Sequence, residues 1–254
     1  MKIRSYIFDI ALIIFTSLHN LLYFLFVPFF LLVDFSFKIF GKDTNFTKLI
    51  ADKWAKFWAI ILMLLLRTIC GISYEVRGKE NIPKNKAVII ASKHQSMWET
   101  IIMHILINCP VYIYKKELLK IPFYGWYLRF MSGAVADREG GAKALKSIVR
   151  CTKEYVKNKQ SIVIFPQGTR TKIDAKIEDY PYKSGLLGLY NFLKIPVVPV
   201  ALNSGLYWTQ NYKKPGKIII EFLPIIEANL EKDEFVNLLR GAIEKKSDEL
   251  IKYD

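Results

Sequence analysis

The chain of 254 residues, 52% of them hydrophobic and 24% charged, is long enough for one sizeable α/β domain together with an anchor. Its formal charge of +14 favours acidic partners, such as anionic lipid head groups or an acidic carrier protein. It has no long basic run and no recognised nucleic-acid-binding module, so we expect no nucleic acid partner. The three cysteines include no C-x-x-C pair, which argues against a zinc knuckle or a redox motif.

The first 70 residues are the most apolar part of the chain and predict membrane-associated helices. The apolar run 10–33 is longer than the about 20 residues that a bilayer span requires, whereas the run 57–66 is too short. No small-residue cleavage site follows the first run, so we expect it to be retained. Basic residues flank it on both sides, which weakens the charge asymmetry expected of a simple span. We therefore expect residues 1–70 to enter one leaflet as a helical hairpin, with a true span as the alternative.

From Gly71 onward, short apolar strands alternate with helical segments. The predicted strands cover residues 72–77, 87–91, 111–114, 161–165, 196–202 and 217–222. The predicted helices cover residues 98–107, 142–157, 185–193 and 232–252. This alternation predicts an α/β domain over residues 71–254, with a mainly parallel sheet and helices on both faces.

The chain has only three histidines, so a histidine-based mechanism has few candidates. His19 lies in the apolar N-terminal run, where we expect a structural or interfacial role. His104 lies inside an apolar helical run, which is typical of a core histidine. The remaining candidate is His94, which follows a buried strand and precedes a helix.

The segment that contains His94, with the sequence SKHQSMWE, lies where α/β domains place ligands, at the carboxyl edge of a parallel sheet. Within one helix, His94 and Glu99 would point about 140° apart. With His94 in the loop and Glu99 in the first helical turn, the carboxylate can orient one imidazole nitrogen and leave the other as a base. Ser96-x-x-Glu99 is also a capping box, in which both residues only satisfy backbone N–H groups. The segment alone leaves both roles open.

A second polar loop, Phe165–Arg170 (FPQGTR), also follows a buried strand. Gly168 permits a tight backbone approach, Thr169 offers a hydroxyl, and the planar guanidinium of Arg170 suits a phosphate. Two further polar loops give weaker signals, at residues 183–185 and 204–205. Each of these segments alone is also compatible with an ordinary turn.

Taken together, these motifs resemble the 1-acyl-glycerol-3-phosphate acyltransferase family, the lysophosphatidic acid acyltransferases. That family is marked by H-x4-D, a Lys-rich stretch with I-P-x-x-G, then G-x4-R, F-P-E-G-T-R and V-P-V. The corresponding positions here, in the same order, are 94–99, 115–118, 121–125, 133–138, 165–170 and 198–200. The resemblance covers residues 72–225 and implies a glycerolipid acyltransferase-like fold.

The resemblance implies an enzyme that moves a fatty acyl group from acyl-CoA or acyl-ACP to the sn-2 hydroxyl of lysophosphatidic acid. The product would be phosphatidic acid for phospholipid synthesis. His94 would be the general base, and Glu99 would orient its ring. Backbone N–H groups at the start of the next helix would stabilise the oxyanion. No metal or other cofactor is expected.

The resemblance also implies a substrate site and a location. The residues expected to bind substrate are Lys115, Arg138, Gln167, Gly168, Thr169 and Arg170. Among them, Lys115, Arg138 and Arg170 would hold the acceptor phosphate. The expected location is the membrane, at the cytoplasmic face of the inner membrane, where lysophosphatidic acid and the acyl carrier would be the partners.

Two residues depart from the family pattern. Glu99 stands where Asp is usual and is one methylene longer, so its carboxylate must sit further back to contact His94. Gln167 stands where Glu is usual, and it keeps hydrogen bonding but loses the charge. These departures leave two alternatives, the same chemistry on another lysolipid acceptor and a noncatalytic lipid-binding relative.

Overall fold

The computed structural model describes residues 1–42, 45–122, 124–136, 141–175, 177–209 and 211–252. Within these residues, the strands are β1 (Ile72–Arg77), β2 (Ile89–Ser92), β3 (Val111–Lys115), β4 (Gly133–Ala136), β5 (Ile162–Ile164), β6 (Val197–Leu202) and β7 (Gly216–Phe222). The α-helices are α1 (Lys2–Ile39), α2 (Phe46–Leu65), α3 (Trp98–Leu106), α4 (Tyr124–Leu128), α5 (Gly141–Lys157), α6 (Ser184–Leu193) and α7 (Lys232–Lys252). A short π-helical segment, Leu66–Cys70, continues α2 toward β1.

The described strands form one sheet in the order β1-β7-β6-β2-β5-β3-β4. Neighbouring strands are parallel, except for the antiparallel pair β6–β7. The prediction of a mainly parallel sheet is confirmed. Because β2 lies between β5 and β6 and runs in the same direction as both, the loops that follow these three strands meet at one edge.

Helices cover both faces of the sheet, as predicted. Along β2, Ile90 belongs to a hydrophobic cluster with Leu62 of α2 and with residues of α3. The preceding residue, Ile89, points to the other face and belongs to a cluster with Leu189 of α6 and Leu239 of α7. Burial on both faces explains why this strand reads as a continuous apolar run rather than an alternating one.

The sequence pattern did not predict β4 or α4. The strand β4 has four residues, of which only Val135 is β-branched, and the helix α4 has five residues, too few to show a helical period. Gly125, at the end of the I-P-x-x-G match, belongs to α4. A Cβ atom there would lie 2.5 Å from the carbonyl oxygen of Leu118, so close packing of the backbone requires glycine.

The two N-terminal helices form an antiparallel hairpin. The indole Nε1 of Trp58 donates a hydrogen bond to Thr16 Oγ1 at 3.0 Å. The indole Nε1 of Trp54 donates to the carbonyl oxygen of His19 at 3.3 Å, and His19 Nε2 lies 3.2 Å from the carbonyl oxygen of Trp54. His19 is buried in this contact, which agrees with its predicted structural role.

The first helix also packs along the α/β domain. Near its start, the ring of Phe8 meets that of Trp208 edge to face at 5.4 Å. Further along, the ring of Tyr23 meets that of Tyr127 at 4.8 Å. At 1.5 Å per residue, the two contacts are about 22 Å apart along the helix. The opposite face of α1 exposes large apolar side chains, including Ile3, Ile13, Leu18, Leu25, Phe29, Leu32, Phe35 and Ile39.

The division of the chain into an anchor over residues 1–70 and a catalytic domain over residues 71–254 stays a prediction. The structure shows that the two parts share hydrophobic packing. Leu62, Leu66 and Cys70 belong to the cluster that covers one face of the sheet.

Asp34 joins the two helices of the hairpin at its closed end. Its carboxylate oxygens accept hydrogen bonds from the backbone nitrogens of Phe46, at 2.5 Å, and Thr47, at 3.0 Å. These N–H groups begin α2 and have no partner within the helix, so Asp34 caps α2 from α1.

We expect Asp34→Ala to lower the thermal unfolding temperature of the protein in detergent. Loss of a helix cap costs about 1 kcal/mol, which shifts the unfolding temperature by about 2–4 °C in a protein of this size. Ser36→Ala is the control, because the exposed Ser36 hydroxyl donates only to Leu32 of its own helix. Equal unfolding temperatures for Asp34→Ala and the control would show that this cap does not stabilise the hairpin.

Candidate active site

Three loops meet at the carboxyl edge of the sheet, following β2, β5 and β6. The loop after β5 contacts the loop after β2 directly, since the backbone nitrogen of Thr171 donates to the carbonyl oxygen of His94 at 2.8 Å. The loop after β6 contacts it as well, since the backbone nitrogen of Gly205 donates to Gln95 Oε1 at 3.1 Å. The loops that follow β2, β5 and β6 therefore lie together at one place.

His94 and Glu99 contact each other at the centre of this site. His94 Nδ1 lies 3.1 Å from Glu99 Oε1. The Glu99 side chain is fully buried, whereas that of His94 retains 13% exposure. The His94 ring also stacks on Phe165, with centroids 4.1 Å apart and planes inclined by 21°. Glu99 and Phe165 thus fix the ring, and Nε2 is the ring nitrogen turned away from the carboxylate.

Glu99 accepts hydrogen bonds from several further donors. Its Oε1 accepts from the backbone nitrogens of Gln95 and Ser96, the latter at 2.6 Å. Its Oε2 accepts from the hydroxyls of Ser96, at 2.7 Å, and Ser204, at 2.8 Å. Burial alone would raise the pKa of Glu99, but the hydrogen bond and charge of His94, together with the Ser96 donors, outweigh burial and lower it. The carboxylate is therefore ionised at neutral pH.

The Glu99 carboxylate makes the contacts that belong to both interpretations of this segment. The hydrogen bond from the Ser96 nitrogen is that of a capping box, and Ser96 Oγ also accepts from the backbone nitrogen of Trp98 at 3.0 Å. The same carboxylate contacts His94.

The N–H groups expected to stabilise the oxyanion already have partners. Those of Gln95 and Ser96 donate to Glu99, and that of Trp98 donates to Ser96 Oγ. That expectation is wrong for these three groups.

The predicted phosphate-binding loop lies beside His94. Gly168 adopts a φ of 66° and its nitrogen donates to the carbonyl oxygen of Phe165 at 2.9 Å, which closes a tight turn. Thr169 and Arg170 are exposed, whereas Gln167 is buried.

The structure describes one of the two other predicted basic residues. Lys115 is exposed at the carboxyl end of β3, and β5 separates this strand from β2. Arg138 lies outside the described residues. His104 is remote from these loops at the end of α3, where it packs against Tyr112 and burial lowers its pKa to about 4.

Comparisons with known proteins agree with the motifs. The family model described as acyltransferase matches residues 73–203. A curated 1-acyl-sn-glycerol-3-phosphate acyltransferase from Pseudomonas aeruginosa is 34% identical over 213 residues, which cover 81% of this chain and 81% of the relative. This chain belongs to the 1-acyl-sn-glycerol-3-phosphate acyltransferase family.

Two further relatives of this acyltransferase extend the comparison. The Saccharomyces cerevisiae protein of the same name is 30% identical over 67% of this chain and 57% of its own length. The solved structure of the 1-acyl-sn-glycerophosphate (LPA) acyltransferase PlsC from Thermotoga maritima is similar with a TM-score of 0.70. The match covers 98% of both chains at 21% identity, so it shows a shared fold.

Two residues of this acyltransferase contact the site although the sequence pattern gives little or no indication of a role for them. Ser204 was noted only as part of a polar loop, yet it donates to Glu99. Glu244 on α7 gave no signal, because a carboxylate on an amphipathic helix is usually a solvated one. In the structure it forms an ion pair with Lys93 and accepts hydrogen bonds from Gln167 and Tyr182.

We expect Ser204→Ala to lower the kcat of acyl transfer about tenfold. The change removes one donor from the ionised Glu99, and a hydrogen bond to a charged group contributes about 1.5–3 kcal/mol. Ser247→Ala is the matched control, because Ser247 is also buried but its hydroxyl has no hydrogen-bond partner within the described structure. Equal kcat values for the two variants would mean that the Ser204 hydroxyl does not contribute to the activity of the His94–Glu99 pair.

Proposed function

We propose that this acyltransferase moves a fatty acyl group from a thioester of coenzyme A or acyl carrier protein to the sn-2 hydroxyl of lysophosphatidic acid. The product is phosphatidic acid for phospholipid synthesis. The observation that carries the proposal is the His94–Glu99 contact of 3.1 Å, with its buried carboxylate, at the carboxyl edge of the sheet. The names of the relatives from Pseudomonas aeruginosa and Saccharomyces cerevisiae support the choice of acceptor.

In this mechanism His94 is the general base. Glu99 holds the proton on Nδ1, so that Nε2 takes the proton of the acceptor hydroxyl. The hydroxyl oxygen forms a bond to the thioester carbonyl carbon, and the carbon–sulfur bond then breaks. The thiolate leaves and receives the proton from His94. The negative charge of Glu99 stabilises the imidazolium between the two proton transfers. The mechanism requires no acyl-enzyme, metal or other cofactor.

The exposed residues beside His94 are proposed to bind the acceptor phosphate. Arg170 and Thr169 provide a guanidinium and a hydroxyl at the tip of the loop whose Phe165 stacks on His94. Lys115 adds a positive charge at the same edge of the sheet. Arg138 completes the proposed set on the strength of its motif match. Gly168 contributes the turn of the loop, and Gln167, whose side chain is buried, contributes by holding that turn in place.

The N-terminal hairpin is proposed to hold the site at the cytoplasmic face of the inner membrane. Helix α1 is long and apolar enough to cross a bilayer. Its contacts with the α/β domain through Phe8 and Tyr23 favour a different placement, in which the helix lies along the domain with its apolar outer face in one leaflet. This placement brings the lipid acceptor to the site, while soluble acyl thioesters arrive from the cytoplasm.

The test is acyl transfer from a labelled acyl thioester to lysophosphatidic acid in detergent micelles. We expect product from the wild type, and a loss of kcat/KM of about 100-fold or more in His94→Ala and in Glu99→Gln, because general base catalysis contributes about 10²–10⁴-fold. His104→Asn, a histidine change outside the site, is expected to retain activity.

Each other outcome has a distinct meaning. Undiminished transfer by His94→Ala would refute the role of His94 as the base. A wild type that forms no product with either acyl-CoA or acyl-ACP would refute lysophosphatidic acid as the acceptor. A panel of other lysolipids would then identify the acceptor, with the same variants deciding the mechanism.

A further inference from the structure

Glu244, at the middle of α7, contacts both loops that carry the predicted catalytic and phosphate-binding residues. Its Oε2 forms an ion pair with Lys93 Nζ. Its Oε1 accepts hydrogen bonds from Gln167 Nε2 at 3.1 Å and from the Tyr182 hydroxyl at 3.0 Å. The Lys93 and Glu244 side chains are only 10% and 19% exposed. One carboxylate thus joins three segments of the chain beneath the site.

Two of these partners, Lys93 and Gln167, lie in the two loops of the candidate site. Lys93 is the residue directly before His94, and its backbone nitrogen donates to Val200 of β6 at 3.0 Å. Gln167 lies in the middle of the loop between Phe165 and Arg170. Because Glu244 contacts the side chains of Lys93 and Gln167 at once, it links the two loops in addition to the hydrogen bond from Thr171 to His94.

The charges of this cluster explain why residue 167 is a glutamine. The Gln167 amide donates a hydrogen bond to Glu244, which an ionised carboxylate is unable to do. A glutamate at 167 would place a buried carboxylate in contact with the largely buried carboxylate of Glu244, whose described ion pair is with Lys93. Like charges at this distance in a buried site are strongly unfavourable. Gln167 and Glu244 are therefore matched to each other.

We propose that Glu244 is a positioning residue that holds the His94 and Phe165–Arg170 loops in register, and that its carboxylate requires the amide of Gln167. The inference rests on the proposed function and extends it to the residues behind the site. Glu244 acts through Lys93 and Gln167 and has no contact with the reacting groups in this proposal. The departure of Gln167 from the family motif is then an adaptation to α7 and leaves the chemistry unchanged.

A carboxylate–amide exchange tests the proposal. Gln167→Glu and Glu244→Gln are made singly and together, and kcat, KM for the acceptor and the thermal unfolding temperature are measured for each. We expect each single change to lower kcat/KM about tenfold or more, since a displacement of about 1 Å in a site can cost about 100-fold. The double variant again has one carboxylate, one amide and the Lys93 ammonium. We expect its kcat/KM to return to within about threefold of the wild type.

Glu249→Gln is the matched control on the same helix, because Glu249 is 40% exposed and pairs only with Lys246 at 3.1 Å among the described contacts. We expect wild-type kcat/KM from it. Single variants with wild-type activity, or a double variant that shows only the product of the two single losses, would overturn the proposal. A merely structural role would lower the unfolding temperature of both single variants while their kcat/KM stayed at the wild-type value.

The same set of variants separates this inference from the proposed function. A wild type that forms no phosphatidic acid would refute the acceptor assignment, and the unfolding temperatures would then decide the coupling between the two side chains. Recovery of the unfolding temperature in the double variant supports the matched pair even in that case. Additive unfolding temperatures would overturn it.

Discussion

The buried charge of Glu99 is the constraint on which the rest of the site depends. Desolvation of an ionised carboxylate costs several kcal/mol, so the charge is tolerated only with hydrogen-bond donors around it. Those donors come from the loop after β2 and from Ser204 after β6. Satisfying Glu99 therefore fixes the start of α3, the loop that carries His94 and the loop after β6 at once. Catalytic geometry and local stability have the same physical origin here.

The sheet topology makes this convergence possible. Placing β2 between β5 and β6, with all three parallel, brings the loops that follow them to one edge, although long stretches of chain separate these strands in the sequence. The Phe165 ring stacks on His94. Helix α7 contacts the His94 loop and the Phe165–Arg170 loop through Glu244. On the other face, the hairpin of α1 and α2 packs against the sheet through one hydrophobic cluster, and Phe165 beside His94 packs against the same cluster.

The sequence was sufficient to predict features that depend on nearby residues. The His94–Glu99 pair spans a single loop, and the strands on either side of it read as apolar runs. Contacts between distant residues were not predictable, since Ser204 and Glu99 are 105 positions apart and Lys93 and Glu244 are 151 apart. The capping box of Ser96 and Glu99, which the sequence offered as one of two roles, explains why the N–H groups of Gln95, Ser96 and Trp98 do not serve as the expected oxyanion donors. The short elements β4 and α4 lacked any detectable period.

The protonation of the His94 ring tests the central claim most directly. With ¹⁵N-labelled histidine, NMR at neutral pH reports which ring nitrogen carries the proton, and a His94→Asn variant assigns the signals among the three histidines. The account predicts the tautomer with the proton on Nδ1, facing Glu99, and a bare Nε2 that accepts the hydroxyl proton. A neutral ring with its proton on Nε2 would contradict the account, because His94 would then have no free nitrogen directed away from Glu99 with which to act as the base.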